Sequence, residues 1–347
     1  MSQPVQMPIA ITMGDAAGIG PEIIAKTFLQ SPHATRGCFV AGDVQTMRRA
    51  LALVKPGSVP VPVVQMDSMD ALPELPIACL PVLQIGEPLG PVAMGQISAS
   101  AGEFAGRCIV WAAQAALRGE LGAVVTAPIH KESLHAAGPP YDRFPGHTEM
   151  LQWQAALHAG QSPESVPVRM MLSNPELRVV LVSIHLSLAR ALQAVTRERV
   201  LETIEITHRA LHSLLGRKPV IAVAGLNPHA GEGGLFGTEE LDTIAPAVAA
   251  ARAAGIQASG PFAPDTVFMR ARAGQPENFD VVVAMYHDQG LIPVKYLGVE
   301  QGVNSTLGLP FVRTSPDHGT AFDIAGTGRA DPASLLASLV AARQAWA

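Results

Sequence analysis

The stretch "DVVVAMYHDQG", Asp280–Gly290, decides how the chain is read. Its apolar run from Val281 to Met285 is continuous rather than alternating, the pattern of a parallel strand covered by helices on both faces. The run then delivers Tyr286, His287, Asp288 and Gln289 before Gly290. In an open parallel sheet, ligands bind beyond the carboxyl ends of the strands. An imidazole, a carboxylate and an amide at that place therefore mark a candidate site.

The same pattern recurs along the chain. "PIAITM", "GCFVAGD", "GAVVTAP", "RVVLVSIH", "PVIAVAGLNPH" and "PFVRTSPDHG" read as further strands. Helical spacing runs through "PEIIAKTFLQ", "AGEFAGRCIVWAAQAALRG", residues 197–216, "EELDTIAPAVAAARAAG" and "PASLLASLVAARQAW". The alternation predicts an α/β fold with a mostly parallel sheet. The proline-rich segment Lys55–Gly95 reads instead as irregular extended chain and edge strands. At 347 residues and 48% hydrophobic, the chain can bury two cores, so two domains or one large α/β unit are expected.

Composition excludes several functions. With a net charge of -5 and 24 scattered Lys and Arg residues, nucleic acid is a poor partner, because phosphate-backbone affinity rests on clustered cations. No apolar run approaches the roughly 20 residues that span a bilayer, and "MSQPVQMPIAITMGD" lacks a basic leader region. A cytoplasmic protein is expected. Cys38, Cys79 and Cys108 lie far apart with no C-x-x-C pair, which signals neither a disulfide framework nor a thiolate zinc site.

Three histidines follow apolar runs directly: His185 after "RVVLVSI", His229 after "VIAVAGLNP" and His287 after "DVVVAMY". One such histidine is usually a local hydrogen-bonding residue. Three in the same topological place could hold one divalent ion and leave positions open for substrate. Asp265 and Asp288 could add oxygen ligands or handle protons. His208 and His212 sit four apart on a helix but lack the Glu of H-E-x-x-H, and read as a solvated face.

Anion-binding features form a second group. "GDAAGIGPEI" follows a strand and opens a helix with Pro21 in its first turn. Its glycines at 14, 18 and 20 do not make G-x-G-x-x-G, so a tight turn explains it as well as a ligand loop does. "FPGHTEM" places His147, Thr148 and Glu149 at a helix entry, where free N–H groups can hold an anion. Asn304 and Arg313 stand in a glycine-rich setting, and Lys295 supplies a further cation. Together these residues suit phosphate and carboxylate groups.

These motifs, in this order, resemble the 4-hydroxythreonine-4-phosphate dehydrogenase family of pyridoxal phosphate biosynthesis. The resemblance runs through "ITMGDAAGIGPEI", "TAPIHKESLHAAG", "FPGHTEM", "GLNPHAGEGG", "GTEELDTI", "GPFAPDTVF", "AMYHDQGLIPVKY" and "GVNSTLGLPFVRTSPDHGTAFDIAG". It implies a homodimer with a shared site, in which a divalent metal (zinc, magnesium or cobalt) is held at His185, His229 and His287. By the resemblance His185 comes from the partner chain. The implied substrate contacts are His147, Thr148, Lys295, Asn304 and Arg313.

The implied reaction is NAD- or NADP-dependent oxidation of 4-phosphohydroxy-L-threonine at its C3 hydroxyl. The resulting 2-amino-3-oxo-4-phosphooxybutanoate decarboxylates to 3-amino-2-oxopropyl phosphate. Relatives acting on D-threonate or D-erythronate 4-phosphate supply the alternative. Ala16 departs from the proline of many relatives in the first motif, with little consequence beyond turn rigidity. A non-catalytic binding protein would be expected to lose a metal ligand, and none is lost.

"GDAAGIGPEI" and "HGTAFDIAGTG" are also similar to glycine-rich segments of isopropylmalate and isocitrate dehydrogenases. That similarity implies a two-domain, three-layer α/β/α fold with a parallel or mixed sheet. The expected domains are 1–130 plus 300–347, and 131–299. The dinucleotide would be bound by a loop containing His318, Gly319, Asp323 and Gly326.

Overall fold

The computed structural model of the chain describes residues 7–54, 61–298 and 300–346. Residues 1–6 of the N-terminal stretch and 55–60 of the proline-rich stretch lie outside the described residues. The chain forms two compact units, Met1–Pro167 with Leu309–Trp346, and Val168–Gly308.

The first unit opens with β1 (Ile9–Thr12), α1 (Gly20–Gln30), β2 (Cys38–Gly42), α2 (Val44–Val54), β3 (Val63–Met66) and β4 (Leu80–Gln84). It continues through α3 (Ala99–Leu117), β5 (Ala123–Thr126), α4 (Lys131–Ala136) and α5 (His147–Ala159). The second unit holds β6 (Arg169–Ser173), β7 (Arg178–Leu181), α6 (Leu188–Ala194), α7 (Arg197–Leu215) and β8 (Ile221–Ala224). It then adds α8 (Ala245–Ala253), β9 (Ala258–Phe262), α9 (Val267–Arg270), β10 (Val281–Ala284), α10 (His287–Tyr296) and β11 (Val303–Leu307). The chain returns to the first unit with β12 (Val312–Pro316) and α11 (Ala333–Trp346).

The strands of the first unit run in the order β3-β4-β2-β1-β5-β12, every neighbour parallel. Its core gathers Phe39, Val40 and Val124 from the strands with Ile23, Met47, Phe104 and Leu339 from α1, α2, α3 and α11. In the proline-rich segment, β3 is an edge strand as expected, but β4 is an interior one. Pairing of β4 with β2 begins at Val82, after Pro81, so the missing proline N–H interrupts no bond on that side. Residues 131–167 belong with this unit, unlike the expected boundary at 130. The reason is packing: Leu134 of α4 and Met150 and Leu151 of α5 close over Ile109 and Ala113 of α3.

The second unit is mixed: β11-β6-β7-β10-β8-β9, with β6 antiparallel to both β11 and β7 and the rest parallel. Successive residues of a strand face opposite sides, and both sides are covered. Val281, Val283 and Met285 join one core with residues of α7 and α8, while Val282 and Ala284 join another with residues of α9 and α10. This is why the run in β10 is continuously apolar. A large-to-small change in either core costs about 2–5 kcal/mol. The short strands β6, β9 and β11 carry no uninterrupted β-branched run, and sequence pattern alone does not reveal them.

Candidate functional site

The opening stretch resolves residue by residue. Gly290 lets α10 lie directly on the sheet, because a Cβ there would stand 2.6 Å from Leu181 and 2.7 Å from Val179. Gln289 accepts from the Met285 N–H at 2.7 Å and donates to the Gly225 carbonyl at 2.7 Å, stapling the carboxyl end of β10 to that of β8. His287 begins α10, and its Nδ1 lies 2.7 Å from Oδ1 of Asp288. A carboxylate on Nδ1 favours the tautomer that presents the Nε2 lone pair, the arrangement common around metal-binding imidazoles.

His185 follows β7, and its ring centroid stands 5.8 Å from that of His287. Two bonds fix its loop: the Ser183 hydroxyl donates to the Met285 carbonyl at 2.9 Å, and Arg199 donates to the Val182 carbonyl at 3.0 Å. His229 follows β8 on a different loop, with its ring 6.2 Å from Phe236. Both His185 and His229 hold left-handed backbone, φ 51° and 54°. In the second case the conformation extends through five successive residues, His229 to Gly233. Each non-glycine residue in such a turn costs about 1–2 kcal/mol, and strain of this kind concentrates at functional sites.

The loop carrying His229 is organised by Glu240, which the sequence reading did not single out. Its Oε1 accepts from the Leu226 and Asn227 N–H groups at 2.6 and 2.7 Å, and its Oε2 from the Asn227 amide at 2.9 Å. Burial pushes its carboxyl upward, but these bonds outweigh it and hold the group below the ordinary range. Glu240 opens a single π-helical turn, Glu240–Ile244, a local geometry frequent at functional sites.

Among the described residues, no group of three His, Cys, Asp or Glu side chains is gathered in one chain as a ready metal site. The donor chemistry nonetheless fits a divalent cation. A carboxylate orients the His287 imidazole, and His185 and His229 follow β7 and β8, the strands on either side of β10. Asp265 is exposed in the turn before α9, and Asp288 is exposed beside His287. In the same unit Lys295 is exposed near the end of α10, and Asn304 is partly buried on β11.

Of the expected anion contacts, His147, Thr148 and Arg313 fall in the first unit, and the Arg313 charge reaches His147. Arg313 on β12 is buried, and its Nε and Nη2 donate to the Thr126 hydroxyl at 3.2 and 2.6 Å. Burial pulls its pKa down to about 10, opposed by the nearby carboxylate of Glu149. His147, the first residue of α5, is held well below the ordinary imidazole range, chiefly by burial and then by the Arg313 charge. Its Nε2 is buried without a hydrogen-bond partner among the described residues. No side chain caps α5, so the first-turn N–H groups remain available beside a buried guanidinium. A buried guanidinium, an uncapped helix N-terminus and an imidazole held below its ordinary range stand here, a combination suited to an anion.

The two glycine-rich segments singled out from sequence also meet in the first unit. Ile19 donates to the Thr320 carbonyl at 3.0 Å, and a Cβ on Gly18 would stand 2.9 Å from Thr320. Phe322 stacks on His130 at 4.4 Å. Within the second segment, His318 Nδ1 lies 3.0 Å from the Gly319 carbonyl oxygen, and its Nε2 is buried without a partner among the described residues. Gly326 takes φ 77°, while Asp323 is exposed. The unsatisfied ring nitrogen fits a bound polar group such as a dinucleotide. His208 and His212 face each other on α7 with rings 5.9 Å apart.

The family model described as "Pyridoxal phosphate biosynthetic protein PdxA" matches residues 34–342. A 4-hydroxythreonine-4-phosphate dehydrogenase of Beijerinckia indica is 50% identical, covering 94% of this chain and 92% of its own. A D-threonate 4-phosphate dehydrogenase of Pectobacterium atrosepticum is 47% identical, covering 97% and 98%. The crystal structure of 4-hydroxythreonine-4-phosphate dehydrogenase from Klebsiella pneumoniae superposes with a TM-score of 0.85 at 42% identity, covering 99% of this chain and all of that one. The chain therefore belongs to the PdxA family of pyridoxal phosphate biosynthetic proteins.

Proposed function

We propose that the protein is a metal-dependent, NAD- or NADP-linked 4-hydroxythreonine-4-phosphate dehydrogenase. The substrate loses a hydride from C3 and a proton from its C3 hydroxyl, and the resulting β-keto acid releases carbon dioxide. The observation that carries the reading is the buried Arg313, clamped on Thr126 beside a neutral His147 at an uncapped helix start. That arrangement is suited to the phosphate of such a substrate.

Arg313 supplies the charge, Thr148 and the first N–H groups of α5 the hydrogen bonds, and His147 Nε2 an acceptor for a hydroxyl or a protonated phosphate oxygen. Lys295 and Asn304 are the second unit's proposed substrate contacts. His185, His229 and His287 would hold the cation, which supplies Lewis acidity toward an alcohol or ketone oxygen. Asp288 orients His287, and Asp265 and Asp288 are the proposed groups for moving the hydroxyl proton. His318, Gly319, Asp323 and Gly326 are the proposed dinucleotide contacts, with the nicotinamide as hydride acceptor.

A homodimer with a shared metal site is part of the proposal. It is supported by exposed apolar residues close behind the three histidines in sequence. Leu188 follows His185, Leu235 and Phe236 follow His229, and Ile292 and the 90% exposed Tyr296 follow His287. Exposed apolar side chains gathered into one patch would suit contact with another chain.

A second reading, oxidation of D-threonate 4-phosphate, is supported by the relatives carrying that name at 47% and 45% identity. Initial rates of reduced-nicotinamide formation from the two substrates separate the readings. The proposal expects kcat/KM at least about tenfold higher for 4-phosphohydroxy-L-threonine. The reverse order selects the sugar acid, and no turnover of either overturns both.

A further inference from the structure

We propose that Glu240 is a positioning residue for His229, holding its loop in the left-handed turn that presents the imidazole. The inference rests on the reading of His229 as a metal ligand. The loop needs an external organiser, because His229, Ala230 and Glu232 all adopt backbone that side chains disfavour. Glu240 is the buried group attached at its start. One oxygen takes two successive backbone N–H groups, Leu226 and Asn227, and the other takes the Asn227 side chain.

The loop is shaped to receive that carboxylate. A Cβ on Gly231 would stand 2.7 Å from Oε2, and one on Gly225 would stand 3.0 Å from Oε1, so both glycines leave room for it. From the opposite side Gln289 holds the Gly225 carbonyl. Residues 225–227 are thus tied to the stretch that carries His287 as well as to Glu240. Past the turn, the Phe236 N–H donates to the Gly231 carbonyl at 3.1 Å and closes the loop. Among the described residues Glu240 makes no ring contact or ion pair with His229 itself; it acts through the backbone.

Cobalt(II) titration of the chelator-treated full chain, followed by visible absorption, tests this without reference to turnover. Wild type, H229A, E240A and E240Q are compared, with apo-protein Tm measured for each. Glu240→Ala is expected to weaken cobalt binding about 10- to 100-fold, as loss of groups that orient metal ligands does. Glu240→Gln keeps one acceptor for the two backbone N–H groups and is expected to fall between wild type and Glu240→Ala. If Glu240→Ala does not fold, the Gln variant decides.

Wild-type cobalt affinity in the folded variants, whether or not Tm drops, would overturn the proposal and leave Glu240 a structural residue only. Absence of cobalt binding by the wild-type chain would remove the reading of His229 as a ligand, and the proposal with it. A wild-type spectrum lost in H229A but unchanged in E240A would overturn the role of Glu240 alone.

Discussion

Asp288 holds the Nδ1 side of His287 at 2.7 Å, although the two residues are neighbours in sequence. The pair stands at the start of α10, with the carboxylate the more exposed of the two groups. Replacing Asp288 by Asn removes the charge and frees the tautomer. Divalent-metal affinity should fall about tenfold with little change in Tm. Unchanged metal affinity in a calorimetric titration would remove Asp288 from the site.

Arg313 is buried against Thr126, so its guanidinium is already oriented before any anion arrives. Arg313→Met keeps much of the volume and deletes the charge. A charge-assisted hydrogen bond contributes about 1.5–3 kcal/mol, so KM for the phosphorylated substrate should rise about 10- to 100-fold. A change confined to kcat would argue that Arg313 is not a phosphate contact.

His147 gives stability a pH dependence. Its folded-state pKa is depressed below the ordinary imidazole value, mainly by burial. The unfolded chain therefore takes up the proton first as pH falls. The stabilisation is complete above the unfolded pKa near 6.5 and declines as pH drops through that window, by at most about 1.4 kcal/mol per pH unit. Urea unfolding of wild type and His147→Gln between neutral and mildly acidic pH checks this: the variant should show a shallower decline, and parallel profiles would refute it.

The shared-site proposal is tested by mixing inactive variants. If His185 reaches the partner's site, a heterodimer of H185A and H287A contains one intact site. Random reassembly then returns about a quarter of wild-type activity, because half the dimers are mixed and each has one working site. Within one chain His185 lies 5.8 Å from His287, and a site built wholly in one chain would recover nothing on mixing.

Much of this arrangement is legible in sequence because burial leaves a strong mark. The continuous run of Val281–Met285 announces a strand covered on both faces, and residues just beyond such runs are placed at the strand ends by topology alone. The strand-end positions of His185, His229 and His287 are read that way. Glu240 is not, since its importance lies in bonds to backbone thirteen and fourteen residues away that no local pattern encodes. Thr126 and Ser183 escape for the same reason, as small hydroxyls whose partners, Arg313 and the Met285 carbonyl, are distant in sequence. The interior position of β4 is hidden by Pro81 and the prolines around the strand, which read as an edge signal although pairing toward β2 begins after Pro81.

The central claim is tested most directly by stripping the purified protein with a chelator and measuring reduced-nicotinamide formation from 4-phosphohydroxy-L-threonine before and after adding back zinc, magnesium or cobalt. The account predicts loss of turnover on stripping, recovery with at least one of these ions, and no recovery in H287A. Undiminished turnover by metal-free protein, or full recovery in H287A, would contradict it.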